Sequence, residues 1–199
     1  RPLDDKHLDW GNGGDWIEDY WRSQFHPHRQ LILETLKELE PFNSIAELGC
    51  NCGPNLARIK KAYPGITLLG IDADERVIAR AIDELREVSF YVGNITKLPW
   101  NTQSISCTIA DAVLMYIQPD EIISVLKEID RVTKKAIILV ERVSDVETRS
   151  GNVWARNYPF LLGEMGYKVK SMKIDRKSWP DGVGWKKLGQ LIVATKNTE

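Results

Sequence analysis

Short apolar runs alternate with amphipathic stretches from Ile45 onward, which is the pattern of strands and helices that build a mostly parallel sheet. The apolar runs predict strands at 44–48, 67–71, 89–92, 105–110 and 136–141. The stretches between them predict helices at 54–62, 75–86 and 119–132. Pro54 and Pro119 each suit a first helical position, where a missing N–H costs nothing. The sequence therefore predicts successive βα units.

The two ends of the chain follow a different pattern. Near the carboxyl end, a helix is predicted from about 154 to 165, followed by strands at 167–174 and 188–195. The segment that joins these strands contains Pro180, Gly182 and Gly184, so we expect an antiparallel pair with a long loop. Residues 1–43 are predicted to form an aromatic-rich helical lid, and residues 44–199 the main unit of what is one structural domain overall.

Composition narrows the class of protein. A length of 199 residues fits one domain of ordinary size, and a net charge of -1 argues against strong non-specific affinity for nucleic acid or anionic membranes. No apolar run approaches the roughly 18 to 20 residues of a membrane span. The three cysteines are too few, and two of them too close together, for a disulfide framework. We therefore expect a soluble, cytoplasmic protein.

The segment 47–55 is a glycine-punctuated turn between the first predicted strand and a helix. Gly49 and Gly53 lie where a Cβ would block the approach of the backbone to a nucleotide, and the helix begins at Pro54 with free N–H groups. Asp72 ends the next predicted strand, where a carboxylate can accept from both hydroxyls of a ribose. An ordinary βα turn capped by Asn51 is the alternative, but the spacing to Asp72 favours a nucleotide-type site.

This turn resembles the first motif of the class I S-adenosylmethionine-dependent methyltransferases, E/D-x-G-x-G-x-G, which Glu47, Gly49 and Gly53 match. Asn51 replaces the middle glycine, and asparagine tolerates left-handed backbone geometry better than most residues. The resemblance extends over residues 45–196. It implies an α/β fold with a Rossmann-like, seven-stranded, mostly parallel sheet, an antiparallel last strand and helices on both faces. It also implies S-adenosyl-L-methionine as the cofactor and S-adenosyl-L-homocysteine as the product.

The resemblance further implies roles for individual residues. Asp72 would hold the ribose, Asn94 and the amide of Ile95 would lie beside the adenine, and the segment 111–116 would pack along the methionine part of the cofactor. The expected cofactor-binding residues are Glu47, Gly49, Asn51, Gly53, Asp72, Ala73, Asn94, Ile95, Asp111 and Tyr20.

Methyl transfer from a sulfonium is an in-line displacement, so the protein must position a nucleophile and, for an oxygen nucleophile, supply a base. His26 and His28 precede a predicted helix and are candidate general bases, although a surface helix cap is the alternative role. Glu141 is a third catalytic candidate, because it ends the fifth predicted strand. The candidate substrate-binding residues are Trp21, Tyr116, Arg142 and Trp154.

The sequence thus predicts a methyltransferase that acts on an oxygen or nitrogen of a small molecule. Lysines and arginines between 168 and 187, with Trp179 and Trp185, leave open an RNA-directed enzyme. Asn51 and Asn94 leave open a catalytically inactive partner subunit. An NAD-dependent reductase is disfavoured, because Asn51 and Pro54 occupy two of the positions that G-x-G-x-x-G reserves for glycine. No metal is expected, since the C-x-C pair in the turn lacks partner ligands, and the oligomeric state is left open.

Overall fold

The computed structural model describes residues 16–180 and 183–196, so the first 15 residues of the predicted lid lie outside the described part. The helices are α1 (Trp16–Arg22), α2 (His28–Glu38), α3 (Pro54–Ala62), α4 (Glu75–Glu84), α5 (Ile122–Val132), α6 (Tyr158–Glu164) and α7 (Val183–Leu188), with short 3-10 turns at Ser23–Phe25 and Leu114–Tyr116. The strands are β1 (Ser44–Leu48), β2 (Thr67–Asp72), β3 (Ser89–Val92), β4 (Ile105–Asp111), β5 (Thr133–Arg142), β6 (Thr148–Ser150), β7 (Val153–Ala155), β8 (Lys168–Lys173) and β9 (Gly189–Thr195).

Seven of the described strands form one sheet in the order β3-β2-β1-β4-β5-β9-β8. The first five are parallel to one another, whereas β9 runs antiparallel to both β5 and β8. This confirms the predicted sheet and its antiparallel last strand. The strand order runs outward from β1 to β3 on one side and from β4 to β5 on the other, so it reverses between β1 and β4. The carboxyl ends of these two strands border the crevice where α/β sheets bind ligands.

Helices cover both faces of the sheet, which explains why the central strands are buried throughout. Every residue of β1 and of β4 is buried. One face packs against α5 and α6 through residues such as Leu126, Ile129 and Leu162. The other packs against α2, α3, α4 and α7, where Leu36 and Leu56 are fully buried. None of the described helices is both long enough and apolar enough to cross a membrane.

The segment after β5 differs from the prediction. Instead of one helix over 154–165, the chain makes a hairpin from β6 and β7 with Gly151 in a left-handed conformation, and α6 begins only at Tyr158. The side chain of Asn157 accepts from the amide of Phe160 at 3.1 Å and so caps α6. Helix α7 also lies in what was predicted as a loop.

Glu141 fixes the segment that follows β4. Its carboxylate is fully buried and accepts from the amides of Val113 (2.8 Å), Leu114 (2.6 Å) and Met115 (3.2 Å). These bonds offset the strain at Ala112, which has a φ of 59° without being glycine. Both carboxylate oxygens therefore accept from the backbone, which gives Glu141 a structural role; the catalytic role stays a prediction.

Replacing Glu141 by alanine should destabilise the fold strongly. Three buried amides would lose their acceptor, and the expected loss in the free energy of unfolding is about 3 kcal/mol or more. Glu141→Gln keeps one acceptor oxygen and should lose less. Urea unfolding at neutral pH measures both changes, with Glu164→Ala, at an exposed position of α6, as the matched control. A loss no larger than that of the control would show that the segment after β4 does not depend on Glu141.

Candidate active site

The turn after β1 has the backbone geometry that a close approach to a ligand requires. Gly49, Asn51 and Gly53 have φ values of 65°, 51° and 84°, so asparagine adopts the left-handed conformation at the position of the missing glycine. Asp72 braces this turn, because its Oδ2 accepts from the amide of Asn51 at 2.9 Å while its Oδ1 accepts from the amide of Asp74 at 3.0 Å. A carboxylate bonded in this way presents fixed lone pairs at the end of β2.

A surface depression of about 530 Å³ opens beside Asp72. Burial raises the pKa of Asp72, although the amide hydrogen bonds oppose that shift. The lining residues are Asp72, Ala73, Asp74, Glu75, Arg76 and Val92. Two of the predicted cofactor-binding residues, Asp72 and Ala73, therefore share one wall of a concave surface.

Asn94 and Ile95 follow the end of β3, the neighbour of β2 in the sheet. Asn94 is exposed and its Oδ1 accepts from the amide of Thr96 at 3.0 Å, whereas Ile95 is buried. The amide side chain thus shapes its own loop, and its oxygen retains a second lone pair for an external donor.

Asp111, at the end of β4, is the centre of a buried polar cluster. Its Oδ2 accepts from Nε2 of His28 at 2.8 Å, from Nη1 of Arg29 at 3.1 Å and from Nδ2 of Asn55 at 2.9 Å. The same Asn55 amide donates to Oε1 of Glu47 at 2.7 Å. All five side chains are at most 6% exposed. Residues from β1, β4, α2 and α3 therefore meet at one point below the glycine turn.

The protonation states of this cluster follow from its contacts. Burial alone would raise the pKa of Asp111, but the charges and hydrogen bonds of His28, Arg29 and Asn55 hold it well below its usual range. Burial lowers the pKa of His28, and Asp111 opposes that shift. Burial also raises the pKa of Glu47 to about 8, despite the bond from Asn55. Near neutral pH the cluster therefore holds an ionised Asp111 beside Arg29 and a neutral His28.

Three oxygens of this cluster lack a hydrogen-bond donor among the described residues. They are Oε2 of Glu47, Oδ1 of Asn55 and Oδ1 of Asp111, each buried from solvent. Buried polar atoms are normally satisfied, so three of them together indicate a place for a donor that the described residues do not supply. An amine or ammonium group is the kind of donor that fits three oxygen acceptors.

His26 and His28 form a relay that ends on Asp111. Because an ionised carboxylate only accepts, Nε2 of His28 donates to Asp111. The Nδ1 atoms of the two rings lie 2.5 Å apart, and the amide of His28 lies 3.4 Å from Nδ1 of His26. The tautomer sets which ring donates across the 2.5 Å contact, and the relay requires the one in which Nδ1 of His26 carries the proton. Arg29 anchors the preceding turn by donating to the Ser23 carbonyl at 2.9 Å. His28 therefore lies inside the buried polar cluster, and His26 lies at its partly exposed edge.

Helix α1 packs over the glycine turn and the start of α4. Glu18 pairs with Arg80 of α4 at 2.8 Å, and the guanidinium of Arg80 lies 5.4 Å from the ring of Trp21. The ring of Tyr20 lies 5.5 Å from the guanidinium of Arg29, and burial raises the pKa of Tyr20. Tyr20 thus joins the polar cluster, whereas Trp21 contacts α4 instead of the histidines.

The remaining substrate-binding candidates occupy separate places. Trp154 is held between the guanidinium groups of Arg149 and Arg156, each 5.4 Å from its ring. Tyr116 is half-buried at the end of the 3-10 turn after β4. Arg142 is buried at the end of β5, with its guanidinium 5.6 Å from the ring of Trp185. The described contacts do not bring Trp154 and Arg142 to the histidine relay.

Three residues of the site were missed by the sequence analysis as site residues. Asn55 is a buried amide in the first turn of α3. A polar residue directly after a ligand-type turn is a signal that could have identified it from the sequence. Arg29 directly follows His28 and shares its partner Asp111. Trp179 packs on both histidines, with ring centroids 4.3 Å from His28 and 4.9 Å from His26. Its loop carries no pattern that predicts this contact.

A family model described as a methyltransferase domain matches residues 45–136. Among curated proteins, trans-aconitate 2-methyltransferase of Deinococcus radiodurans is 29% identical over 87 residues, which cover 42% of this chain and 33% of that protein. An uncharacterized 37.1 kDa protein in transposon TN4556 of Streptomyces fradiae is 30% identical over 94 residues, which cover 45% of this chain and 27% of that protein. The chain thus spans about a third or less of these curated relatives.

The fold also has solved counterparts. Magnesium protoporphyrin IX methyltransferase from Synechocystis PCC 6803, solved with bound SAH, superposes with a TM-score of 0.68 over 94% of this chain and 91% of that chain, at 13% identity. An identity this low establishes the fold alone. Taken with the methyltransferase-domain match over 45–136, the sheet order and the geometry of the glycine turn, it supports a class I S-adenosylmethionine-dependent methyltransferase.

Proposed function

We propose that this chain binds S-adenosylmethionine at the carboxyl edge of its sheet and transfers the methyl group to an oxygen or nitrogen of a small molecule. The observation that carries the proposal is the turn after β1, in which Gly49, Asn51 and Gly53 are all left-handed and Asp72 bonds back to the Asn51 amide. Left-handed glycines let the backbone of the turn come close to a ligand, and Asp72 sets a carboxylate beside it.

The residues present fit the parts of this cofactor. Asp72 offers acceptors for the ribose hydroxyls, and Ala73, Asn94 and Ile95 are the candidates for the adenine. The unpartnered oxygens of Glu47, Asn55 and Asp111 suit the amino group of the methionine part. When bound, the cofactor supplies an electrophilic methyl group on a sulfonium, so the chain itself needs only to bind, orient and remove a proton.

The histidine relay is our candidate for proton removal. With Nδ1 of His26 donating to His28, the basic nitrogen of His26 is Nε2, and His26 is only partly buried. A proton taken from the acceptor at that nitrogen would move the Nδ1 proton to His28, and the resulting imidazolium would be stabilised by Asp111. His26 is thus the general base in this proposal, and His28 and Asp111 orient it.

A small-molecule acceptor is better supported than RNA. The two related enzymes above are named for trans-aconitate and magnesium protoporphyrin IX. The alternative acceptor, RNA, would use exposed aromatic side chains for base stacking. Trp185 is only 1% exposed and Trp179 packs against the histidines, so these rings favour an internal role.

Calorimetric titration with S-adenosylhomocysteine, with NADH in a parallel run, tests the cofactor, and a methylation screen of small carboxylic acids, phenols and ring compounds tests the acceptor. Micromolar binding of S-adenosylhomocysteine alone is the expected result. Binding of NADH instead would support the reductase. Binding of neither ligand would favour an inactive partner subunit.

Replacing Asp72 by alanine should weaken the binding of S-adenosylhomocysteine. Two hydrogen bonds from ribose hydroxyls to a carboxylate would be lost, and the expected increase in Kd is about 30-fold or more. Calorimetry measures it. Asp83→Ala, an exposed acid on α4, is the matched control and should leave the Kd unchanged. An unchanged Kd in Asp72→Ala would remove Asp72 from the cofactor site.

Replacing both histidines should separate catalysis from cofactor binding. In the double variant His26→Gln, His28→Gln the second amide can still donate to Asp111, but neither side chain is basic at neutral pH. Turnover with the acceptor found in the screen is expected to fall about 100-fold or more, while the Kd for S-adenosylhomocysteine stays within about threefold. Wild-type turnover in this variant would return both histidines to a structural role.

A further inference from the structure

A continuous column of flat side chains connects β5 to the start of α2. The rings of Trp185 and Trp179 stack with centroids 4.1 Å apart and an angle of 13° between their planes. Trp179 then lies 4.3 Å from His28 and 4.9 Å from His26. We name these four residues the aromatic column. It reaches from the segment between β8 and β9 to the histidine relay, which comes about 150 residues earlier in the chain.

The base of the column is fixed by the core of the protein. Trp185 is only 1% exposed, and the guanidinium of Arg142 lies over its ring. Two glycines make room for this packing: a Cβ at Gly184 would lie 2.8 Å from Cζ of Arg142, and one at Gly189 would lie 2.6 Å from the carbonyl oxygen of Trp185. Residues 136–142 of β5 pair with all of β9. Arg142 and Gly189, at one end of this pairing, pack against Trp185 and hold it as a support for Trp179.

The histidines are enclosed by charged groups from three elements and by Trp179. Asp111 from β4 bonds to His28, and Arg29 from α2 bonds to the same carboxylate. Arg58 from α3 is a further positive charge that disfavours protonation of His28. Asp111 fixes one end of the His28 ring, and Trp179 covers a face that no hydrogen bond restrains. Without that cover, water could reach the His28 ring.

We propose that Trp179 is a positioning residue of the histidine relay: it holds His28 and His26 in register with Asp111 and keeps water from the His28 ring. This inference rests on the proposed function, in which His26 takes the proton of the acceptor. It assigns to the loop between β8 and β9 a direct effect on the base, although that loop is far from the relay in sequence.

A purely structural role for Trp179 predicts a different result. If the ring only fills space above α7, its loss lowers stability but leaves the titration of the histidines unchanged. If it positions and shields the relay, its loss admits water to His28, whose pKa is lowered chiefly by burial. The titration of His28 then moves to higher pH in Trp179→Ala, toward the value of an exposed histidine.

The chain has three histidines, so their imidazole signals can be followed by NMR between pH 5 and pH 9. His26→Gln and His28→Gln, made singly, assign the signals. In Trp179→Ala we expect the His28 titration to move to higher pH and turnover with the identified acceptor to fall about tenfold or more. In Trp179→Phe, which keeps a flat aromatic face, we expect both to remain close to wild type.

Tyr63→Leu is the control. It removes a ring that lies 5.1 Å from the ring of Phe42, near the amino end of β1 and away from the carboxyl edge where the relay lies. It should leave the histidine titrations unchanged. Histidine titrations in Trp179→Ala that match those of wild type would overturn the inference, even if stability falls. The titration also separates the two proposals. If S-adenosylhomocysteine does not bind to wild type but the titration still moves, the proposed function fails while the contact between Trp179 and the relay stands.

Discussion

The carboxylate of Asp111 is the interaction on which the rest of the site depends. One of its oxygens accepts from His28, Arg29 and Asn55, and the residue is 6% exposed. A buried charge is tolerated only when it is paired and hydrogen-bonded, and here most of the partners come from α2. Undocking of α2 would leave Asp111 ionised with Asn55 as its remaining donor. The start of α2 is therefore tied to the sheet by electrostatics as well as by the apolar packing of Ile32 and Leu36.

The cluster is nevertheless incomplete, and that incompleteness is informative. Glu47, Asn55 and Asp111 each keep one buried oxygen without a donor in the described part of the chain. Such atoms reduce stability, because their hydration is lost on folding and nothing replaces it. The left-handed conformation of Asn51, between the left-handed Gly49 and Gly53, adds further strain close by. Unmet hydrogen bonds and strain that coincide at the carboxyl edge of a parallel sheet are typical of a site that a ligand completes.

The sequence predicted most of the sheet but not the contacts across it. Strands β1 and β3 and helix α3 lie at their predicted bounds, because short apolar runs there are bordered by glycine, proline or polar residues. The hairpin of β6 and β7 was not predicted, although the Gly151-Asn152 pair is a turn signal, and its last two residues, Trp154 and Ala155, were assigned to the helix predicted over 154–165. Asp72 and the left-handed Asn51 follow from local motif geometry. The stacking of Trp179 on His28 joins residues about 150 positions apart, and no local pattern encodes it.

The hydrogen bonds of the acids at this edge of the sheet explain why the base would come from the segment that leads into α2. The two acids that end β4 and β5 are already engaged: Glu141 accepts from three backbone amides, and Asp111 accepts from three side chains. Neither can move without unfolding its surroundings, so neither suits repeated proton transfer. An imidazole can gain or lose a proton while both of its nitrogens stay hydrogen-bonded. Because its ordinary pKa lies near neutral pH, the transfer costs little free energy. The carboxylates hold the geometry, and the histidines, set between Asp111 and Trp179, are the groups that remain able to titrate.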